Sequence, residues 1–245
     1  MASTEPIPTA CAVRRALRAV ARPAKAAVLE RFFKTGPGEY AEGDRFLGVT
    51  VPEQRRIARR FGELPMPATL ELLASPIHEE RLTALLVWVR QFERGDDSVR
   101  RTIHATYLDH TARVNNWDLV DLSAPSLVGA WLVERSRRPL QRLARSASLW
   151  ERRIAIVATH AFIRRGEFAD TLAIADRLIA DREDLIHKAV GWMLREVGKR
   201  DRATLEAFLG PRCRRLPRTM LRYAIERFPE PRRQEFLRGH GDGIT

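Results

Sequence analysis

The sequence predicts an all-α protein, and three observations carry this prediction. Apolar residues recur at helical spacing along most of the chain, and no alternating strand pattern of useful length is present. Breaks that contain proline or glycine fall often, and they leave segments of about 8 to 17 residues between them. Segments of this length with one apolar face are typical of helices that pack against their neighbours.

Four segments show the helical period most clearly. Their apolar residues are Leu82, Leu85, Leu86 and Val89; Ile154, Val157, Ala158 and Ala161; Phe168, Leu172, Ala175 and Ile179; and Ile186, Val190, Met193 and Val197. Two capping boxes mark helix starts, Thr50 with Glu53 and Ser148 with Glu151. We expect the second box to open a helix that holds Trp150 through Arg165.

The order of the segments favours helices paired in series. Pairs that each span roughly 40 residues are typical of a superhelical solenoid of HEAT-like antiparallel helix pairs, and such a stack offers a concave face. In a basic chain that face is expected to be basic. A compact, irregular helical bundle is the structural alternative.

Length and composition indicate one globular domain. The chain has 245 residues, of which 44% are hydrophobic and 30% are charged, and no linker stretch divides it. We therefore predict a single HEAT-like repeat domain over residues 1–245, with loose ends at 1–6 and 239–245. Cys11 and Cys213 form no CxxC motif, which suits a reducing compartment and argues against a structural zinc site.

The chain also lacks the signals of a membrane or secreted protein. No apolar run approaches the roughly 20 residues that span a bilayer. The first residues are rich in Ala and Arg and lack the apolar core of a secretory signal. An organellar transit peptide is the alternative to an ordinary basic first helix. We expect a cytoplasmic protein, in the bacterial cytosol at the nucleoid.

The charge balance favours a polyanionic partner. The sequence holds 43 Lys and Arg against 31 Asp and Glu, which gives a formal net charge of +12. Contacts between such cations and phosphates dominate the affinity of proteins for nucleic acids. A basic protein without a nucleic-acid partner is the alternative.

Several enzyme classes are excluded by their motifs. The sequence contains no GxxxxGK[ST], HExxH or GxSxG pattern, and its six histidines are scattered. The glycines of TGPGEYAEGD could bind an anion, but they lack the lysine and the following helix of a phosphate-binding loop. We expect an ordinary turn there.

The stretch VNNWDLVDLS at 114–123 places an indole and a carboxylate on one helix face. Trp117 and Asp121 are four residues apart, so they lie one above the other if the segment is helical. Leu119 and Leu122 point away from that face, and Asn116 can cap the helix. An ion pair between Asp121 and one of the many arginines is the alternative to a functional role.

Two further helices place unexpected residues off their apolar faces. In the segment 184–199, the side opposite the apolar stripe carries Lys188, Trp192, Arg195 and Lys199. An indole among cations can stack on an arginine or on a sugar or base, and packing under a neighbouring helix is the alternative. In the segment 149–165, Arg152 faces fully outward and Arg153 lies on the shoulder of the stripe. Either arginine can bind phosphate or remain solvated.

Four stretches resemble the DNA alkylation repair glycosylases of the AlkD-like family. They are FFKTGPGEYAEGDRFLGVTVPEQRR at 32–56, NNWDLVD at 115–121, LWERRIAIV at 149–157 and LIHKAVGWMLREVGK at 185–199. The resemblance spans about residues 20 to 230, and NNWDLVD and KAVGWMLRE are its most specific parts. It implies a superhelix of HEAT-like repeats that holds duplex DNA in its concave face.

The resemblance also implies an activity. Such an enzyme excises cationic N3- and N7-alkylated purines by hydrolysing the N-glycosidic bond, as a monofunctional 3-methyladenine or 7-methylguanine glycosylase. The catalytic aspartate falls on Asp121, the cleft aromatics on Trp117 and Trp192, and the arginine of the RR pair on Arg153. A further cleft residue near the N-terminus falls loosely on Tyr40, and more loosely on Thr50.

The implied partner is double-stranded DNA with alkylated purines, bound by a monomer without a metal or organic cofactor. Two other hypotheses stay open. One is a non-catalytic, structure-specific DNA-binding repeat protein, and the other is a protein-binding helical scaffold, the commonest use of HEAT repeats.

Overall fold

The computed structural model describes residues 8–239 of the chain. The predicted loose ends at 1–6 and 239–245 lie outside these residues, except for Gly239. Within 8–239 the protein is all-α, as predicted, and its one β-type pairing is an isolated bridge between Arg45 and Ile77. No helix in this part of the chain is long and apolar enough to cross a membrane. The chain divides into two compact units, Met1–Ser123 and Ala124–Thr245, and the single domain stays a prediction.

The first unit is built around one long, buried helix. Its helices are α1 (Ala10–Ala19), α2 (Pro23–Phe32), α3 (Val51–Arg60), α4 (Met66–Leu73), α5 (His78–Arg94), α6 (Asp97–Asp109) and α7 (Trp117–Asp121), with a 3-10 turn at Thr111–Arg113. Helix α5 packs against α1, α3, α4, α6 and α7. Leu82, Leu85 and Leu86 of its predicted apolar stripe are buried, and Val89 is half-buried.

Helix α5 also buries charged residues in its first turn. Glu80 is buried and accepts a hydrogen bond of 2.9 Å from the guanidinium of Arg14 on α1. Because a buried charge without a partner is strongly destabilising, this pair fixes α1 against α5.

The second unit has α13 at its centre. Its elements are a π-helical turn (Pro125–Gly129), α8 (Ala130–Leu132), α9 (Arg138–Leu143), α10 (Leu149–Ala158), α11 (His160–Ile163), α12 (Ala169–Leu178), α13 (Asp184–Gly198), α14 (Arg202–Leu209), a 3-10 turn (Gly210–Arg212), α15 (Arg218–Ala224) and α16 (Glu230–Leu237). Helix α13 packs against α10, α12, α14 and α15. A Cβ atom on Gly191 would lie 2.5 Å from the Met220 carbonyl oxygen, so glycine permits the close approach of α15.

Both predicted capping boxes lie at helix starts. The Glu53 carboxylate accepts the Thr50 backbone N–H at 2.9 Å, and the Ser148 hydroxyl accepts the Glu151 N–H at 3.4 Å. The predicted helix from Trp150 through Arg165 is wrong in one respect, because α10 ends at Ala158 and α11 starts at His160. The Thr159 hydroxyl donates to the Ile156 carbonyl at 2.6 Å, and such back-bonding bends a helix.

The predicted apolar face of α12 is confirmed at Ala175 and Ile179, which are buried, but not at its N-terminal end. Phe168 and Leu172 are only half-buried, whereas Thr171, Ile174 and Leu178 are buried. Phe168 is the N-cap residue and lies outside the helical turns, so it cannot set the phase of the stripe.

Candidate functional site

Helix α7 carries the predicted tryptophan–aspartate pair. The Asn116 side chain accepts the backbone N–H of Trp117 at 2.8 Å, which confirms Asn116 as the N-cap. Leu119 and Val120 are fully buried, and they anchor one side of the five-residue helix. Trp117 and Asp121 are half-buried, so they lie on the side that the core leaves accessible.

A cavity of about 480 Å³ opens beside this helix, within the first unit. Its lining is Lys25, Leu29, Phe32, Phe33, Phe46, Val49, Thr50, Val51, Pro52, Gln54, His78, Glu79, Trp117, Asp118, Asp121 and Leu122. Trp117 and Asp121 therefore share a face, as their spacing predicted. Leu122 was predicted to point away but also lines the cavity, because α7 ends at Asp121 and the chain leaves the helix there.

An aromatic stack forms one wall of the cavity. The rings of Trp117 and Phe33 are stacked with centroids 5.2 Å apart, and Phe33 is stacked on Phe46 at 5.0 Å. The Phe46 ring is in turn stacked on the His78 imidazole at 4.7 Å. Tyr40 is half-buried and packs against the same cluster. The stack on Phe33 fixes the orientation of the Trp117 indole, which lines the cavity.

A buried ionic network lies beneath α7. His78 is 2% exposed, and its two ring nitrogens lie 2.8 Å from Asp118 and 3.3 Å from Asp44. Arg81 also donates to Asp44, at 2.6 Å. Burial alone would lower the pKa of His78, but the charge and hydrogen bond of Asp118 and the hydrogen bond of Asp44 raise it to about 9. His78 is therefore an imidazolium at neutral pH, with both N–H groups donating to carboxylates.

Asp44 completes the same network on the loop before α3. Burial raises the pKa of its carboxyl group, but the hydrogen bonds and positive charges of His78 and Arg81 outweigh this effect and lower the pKa below its usual value. Asp44 is thus a carboxylate that ties the loop to α5, while Asp118 ties α7 to the same helix.

The buried carboxylate of Glu79 shapes another part of the cavity lining. Glu79 is 1% exposed, and its carboxylate accepts the consecutive backbone N–H groups of Leu47, Gly48 and Val49 at 2.8–3.2 Å. Gly48 has a φ of +80°, and a Cβ there would lie 2.2 Å from the Arg22 carbonyl oxygen. Glycine is therefore required where this loop meets the start of α2.

Asp121 is the carboxylate that the cavity leaves accessible. Both Asp118 and Asp121 line the cavity, but Asp118 is buried, whereas Asp121 is only half-buried at the last position of α7. Burial raises the pKa of Tyr107, and the negative charge of Asp121 raises it further. A ligand in the cavity would meet this charge directly.

The other candidate residues lie in the second unit. The predicted core stripe of α13 is fully buried, and Trp192 is half-buried on another side, as its spacing predicted. Its indole N–H donates to Glu196 at 3.2 Å, and its ring lies 6.1 Å from the His160 ring.

Acidic residues accompany the predicted cations of α13. Lys188 pairs with Asp184 at 2.7 Å, Lys199 pairs with Glu196 at 2.7 Å, and Arg195 pairs with Glu226. The Trp192 surface is therefore a mixed set of charges rather than a purely basic one.

The two arginines of α10 differ from their predicted orientations. The prediction that Arg152 faces fully outward is wrong, because its guanidinium pairs with Asp181 at 2.6 Å and donates to two carbonyl oxygens at 3.0 and 2.8 Å. Arg153 is 5% exposed and donates to the Leu185 carbonyl oxygen. The two guanidinium groups therefore hold α10 to the segment 181–185, which contains the start of α13.

In the first unit, Trp117 and Asp121 line one cavity, and Tyr40 packs against the cluster that contains Phe33 and Phe46. The other predicted site residues belong to the second unit: Trp192, Lys188, Arg195, Lys199, Arg152 and Arg153. Sequence reasoning missed the stack and the network. Phe33 lies within the stretch 32–56 that carries the resemblance, but its spacing in the sequence does not predict a stacking contact. His78 and Asp118 are 40 residues apart, and helical periodicity does not report a contact at that separation.

The glycine-rich loop after α2 is a turn, as predicted. The N–H groups of Gly36 and Gly38 bind the carboxylates of Glu39 and Glu42 at 2.9 and 3.0 Å. Residues of the chain itself therefore occupy the donors that an anion would need.

Two comparisons with known proteins point to the same family. A family model described as DNA alkylation repair enzyme matches residues 13–228. No match is found among curated proteins. A solved structure described as a predicted DNA alkylation repair enzyme from Enterococcus faecalis is similar, with a TM-score of 0.65 and 16% sequence identity, over 86% of this chain and 97% of that one. That similarity shows a shared all-α helical-repeat fold. Because the family model covers most of its length, the chain belongs to the DNA alkylation repair enzyme family.

Proposed function

We propose that the protein is a DNA glycosylase that excises cationic N3- and N7-alkylated purines from duplex DNA. The observation that carries this proposal is the pairing of Asp121 with Trp117 on the wall of an aromatic cavity. Pure DNA binding gains nothing from a carboxylate, because a carboxylate repels phosphate. A reaction that develops positive charge on a sugar does gain from one.

The chemistry assigns a role to Asp121. Alkylation at N3 or N7 leaves a positive charge on the purine, which makes the base a good leaving group. Its departure generates an oxocarbenium-like deoxyribose, as in other glycoside cleavages. A carboxylate about 4 Å from that cation gains about 4 kcal/mol at an effective dielectric constant of 20. This corresponds to roughly a thousandfold in rate. Asp121 also can position the attacking water.

The stacked indole of Trp117 suits the same step. An aromatic face attracts polarised C–H groups and cations, so Trp117 can hold the sugar while its charge develops. Phe33 supports the indole from behind with nearly parallel rings, at an interplanar angle of 16°. The ring therefore need not reorganise when the reaction proceeds.

The remaining candidate residues are proposed as DNA contacts. They are Trp192, Arg153, Arg195, Lys188, Lys199, Arg152 and Tyr40. A phosphate would exchange with a carboxylate partner at Lys188, Arg195 and Lys199, since each of them pairs with one. Arg152 is the most constrained of the set, because its guanidinium already binds Asp181 and two carbonyl groups. The protein would act on DNA in the bacterial cytosol, as a monomer.

The test is base release from a defined lesion. Purified protein is incubated with a duplex that contains one 7-methylguanine, with a second duplex that contains 3-methyladenine, and with an undamaged duplex. We expect free alkylated base and an alkali-labile abasic site from the first two and neither from the third. If salt-sensitive DNA binding occurs without release of either base, the protein is instead a non-catalytic DNA-binding member of the family.

A further inference from the structure

The imidazole of His78 joins two parts of the candidate site. It is the last ring of the aromatic stack that starts at Trp117, and its centroid lies 4.7 Å from that of Phe46. Its Nε2 atom lies 2.8 Å from the carboxylate of Asp118, the residue that follows Trp117 on α7. His78 therefore contacts both the stack that supports the indole and the helix that carries it.

These contacts form a closed ring around one side of the cavity. Trp117 stacks on Phe33, Phe33 on Phe46 and Phe46 on His78, which binds Asp118 beside Trp117. The buried apolar side of α7 anchors the helix, but apolar burial is non-directional. A charged hydrogen bond is directional. The bond from His78 to Asp118 is therefore suited to fix the orientation of α7, and with it the positions of Trp117 and Asp121.

The full set of hydrogen bonds requires the protonated imidazole. A neutral imidazole has one N–H group, so it can donate to either Asp44 or Asp118 but not to both. Asp44 would keep the guanidinium of Arg81 at 2.6 Å. The other hydrogen bond to Asp118 comes from the backbone N–H of Leu119, at 2.8 Å. In either tautomer, Asp118 loses the attraction of a positive charge.

The charges that face His78 come from three elements. Asp44 lies on the loop before α3, Asp118 on α7 and Arg81 on α5 itself. Burial and the positive charge of Arg81 lower the pKa of His78, but the charge and hydrogen bond of Asp118 and the hydrogen bond of Asp44 raise it to about 9. The other charged residues that line the cavity are Lys25, Glu79 and Asp121.

We propose that His78 is a positioning residue for the chemical step, and that its charged ring acts through Asp118 to hold Trp117 and Asp121 toward the reacting sugar. The proposal rests on the proposed function, because the sugar is taken to lie in the cavity. His78 is 2% exposed, so it acts on α7 rather than on the substrate. Loss of its proton releases α7 and slows base release while DNA stays bound.

The first experiment measures the single-turnover rate of 7-methylguanine release between about pH 6 and about pH 10. Wild type is compared with His78→Gln, which does not titrate. His104→Gln is the matched control, because His104 is another buried histidine of the first unit and does not line the cavity. Duplex without enzyme corrects for spontaneous loss of the base at each pH. Circular dichroism verifies folding, and the affinity for an undamaged duplex is measured in parallel.

The proposal predicts an alkaline limb that belongs to His78. The wild-type rate should fall about 10- to 100-fold, with a midpoint at pH about 9. His78→Gln should be slower at neutral pH by about the same factor and should lack the alkaline fall, since small misplacements of reacting groups are costly. Its affinity for undamaged DNA should be retained, because the lost interaction serves the transition state. His104→Gln should follow the wild type.

A second measurement reports on the Trp117 indole without any reaction. The five tryptophans are replaced by 5-fluorotryptophan, and the fluorine resonance of Trp117 is identified by its loss in Trp117→Phe. In the free protein this resonance should shift with a midpoint at pH about 9. The shift should be absent in His78→Gln and present in His104→Gln.

Asp118→Asn provides a further variant if His78→Gln does not fold. The charge of Asp118 is the main cause that raises the pKa of His78. Removal of this charge should therefore move the alkaline limb and the fluorine titration to lower pH. An unchanged midpoint would mean that the two side chains do not act together.

Contrary outcomes separate this inference from the proposed function. A folded His78→Gln protein that releases base at the wild-type rate, or that keeps the same alkaline limb, would show that His78 does not position the site, and the proposed glycosylase would stand. A Trp117 resonance that does not shift with pH would also overturn the inference. Failure of the wild type to release any base at any pH would overturn the proposed function, whatever the fluorine titration shows.

Discussion

Asp118 and Asp121 lie three residues apart on one short helix and have opposite surroundings. Asp118 is buried and binds the His78 imidazolium at 2.8 Å. Asp121 is half-buried and lines the cavity. The contrast indicates that Asp118 maintains the position of α7, and it supports the role proposed for Asp121 at the cavity.

This contrast predicts different effects on stability. Asp118→Ala leaves a buried imidazolium with one carboxylate partner fewer, so we expect a loss of about 3–5 kcal/mol in the free energy of unfolding. Asp121→Asn keeps the shape of a half-buried side chain, and we expect a loss of about 1 kcal/mol or less. Urea unfolding of the two variants measures both values. Equal losses for the two variants would mean that the burial difference does not determine their roles.

At the scale of the elements, the salt bridges of His78 couple α7 and the Asp44 loop to α5. The pKa of His78 rises from 6.5 to about 9 on folding. A raised pKa means that the protonated form is stabilised in the folded state. The stabilisation is fully present below pH 6.5 and is lost as the pH rises through about 9.

We therefore predict a pH-dependent stability that belongs to this network. The shift corresponds to about 3 kcal/mol, lost mainly between pH 6.5 and 9. Urea unfolding across this range should show the loss in the wild type, and His78→Gln should lack it because glutamine does not titrate. The NMR titration of the His78 ring protons in the wild type is an independent check. A midpoint at or below 6.5 would contradict the prediction.

The helices that could be predicted from the sequence are those with strong local signals. Helix α13 has four core residues in phase, and it was predicted at 184–199 and found at Asp184–Gly198. The N-cap residue Asn116 indicated the start of α7. The break at Thr159 gave no such signal, because it depends on a hydroxyl that bonds to the preceding turn.

In the candidate site, the sequence predicted only residues that belong to the motifs of the resemblance. Trp117 and Asp121 follow from one motif and from helical spacing. The wall formed by Phe33, Phe46 and His78 depends on contacts between loops and helices that are far apart in the chain. No sequence pattern predicts that the Glu79 carboxylate accepts hydrogen bonds from three backbone N–H groups. Likewise, the spacing of Arg152 predicted a solvent-exposed side chain, but the tertiary contact with Asp181 determines where its guanidinium lies.

At the scale of the whole molecule, the net charge predicts how DNA affinity depends on salt. A chain with a formal charge of +12 that neutralises 6 to 10 phosphates would lose about 10³- to 10⁵-fold in affinity between 50 and 200 mM salt. Fluorescence anisotropy with a labelled duplex measures this slope. A nearly flat dependence would favour the protein-binding scaffold, which has no need to release counterions.

The central claim is that Asp121 stabilises the positively charged sugar, and the rate of the chemical step tests it most directly. The single-turnover rate constant for 7-methylguanine release is measured with saturating enzyme, for the wild type, for Asp121→Asn and for Asp109→Asn, an exposed aspartate at the end of α6. DNA affinity is measured in parallel. We predict that Asp121→Asn lowers the rate about a thousandfold, with the affinity for DNA retained, and that Asp109→Asn changes neither. A folded Asp121→Asn protein that releases the base at the wild-type rate would contradict the account.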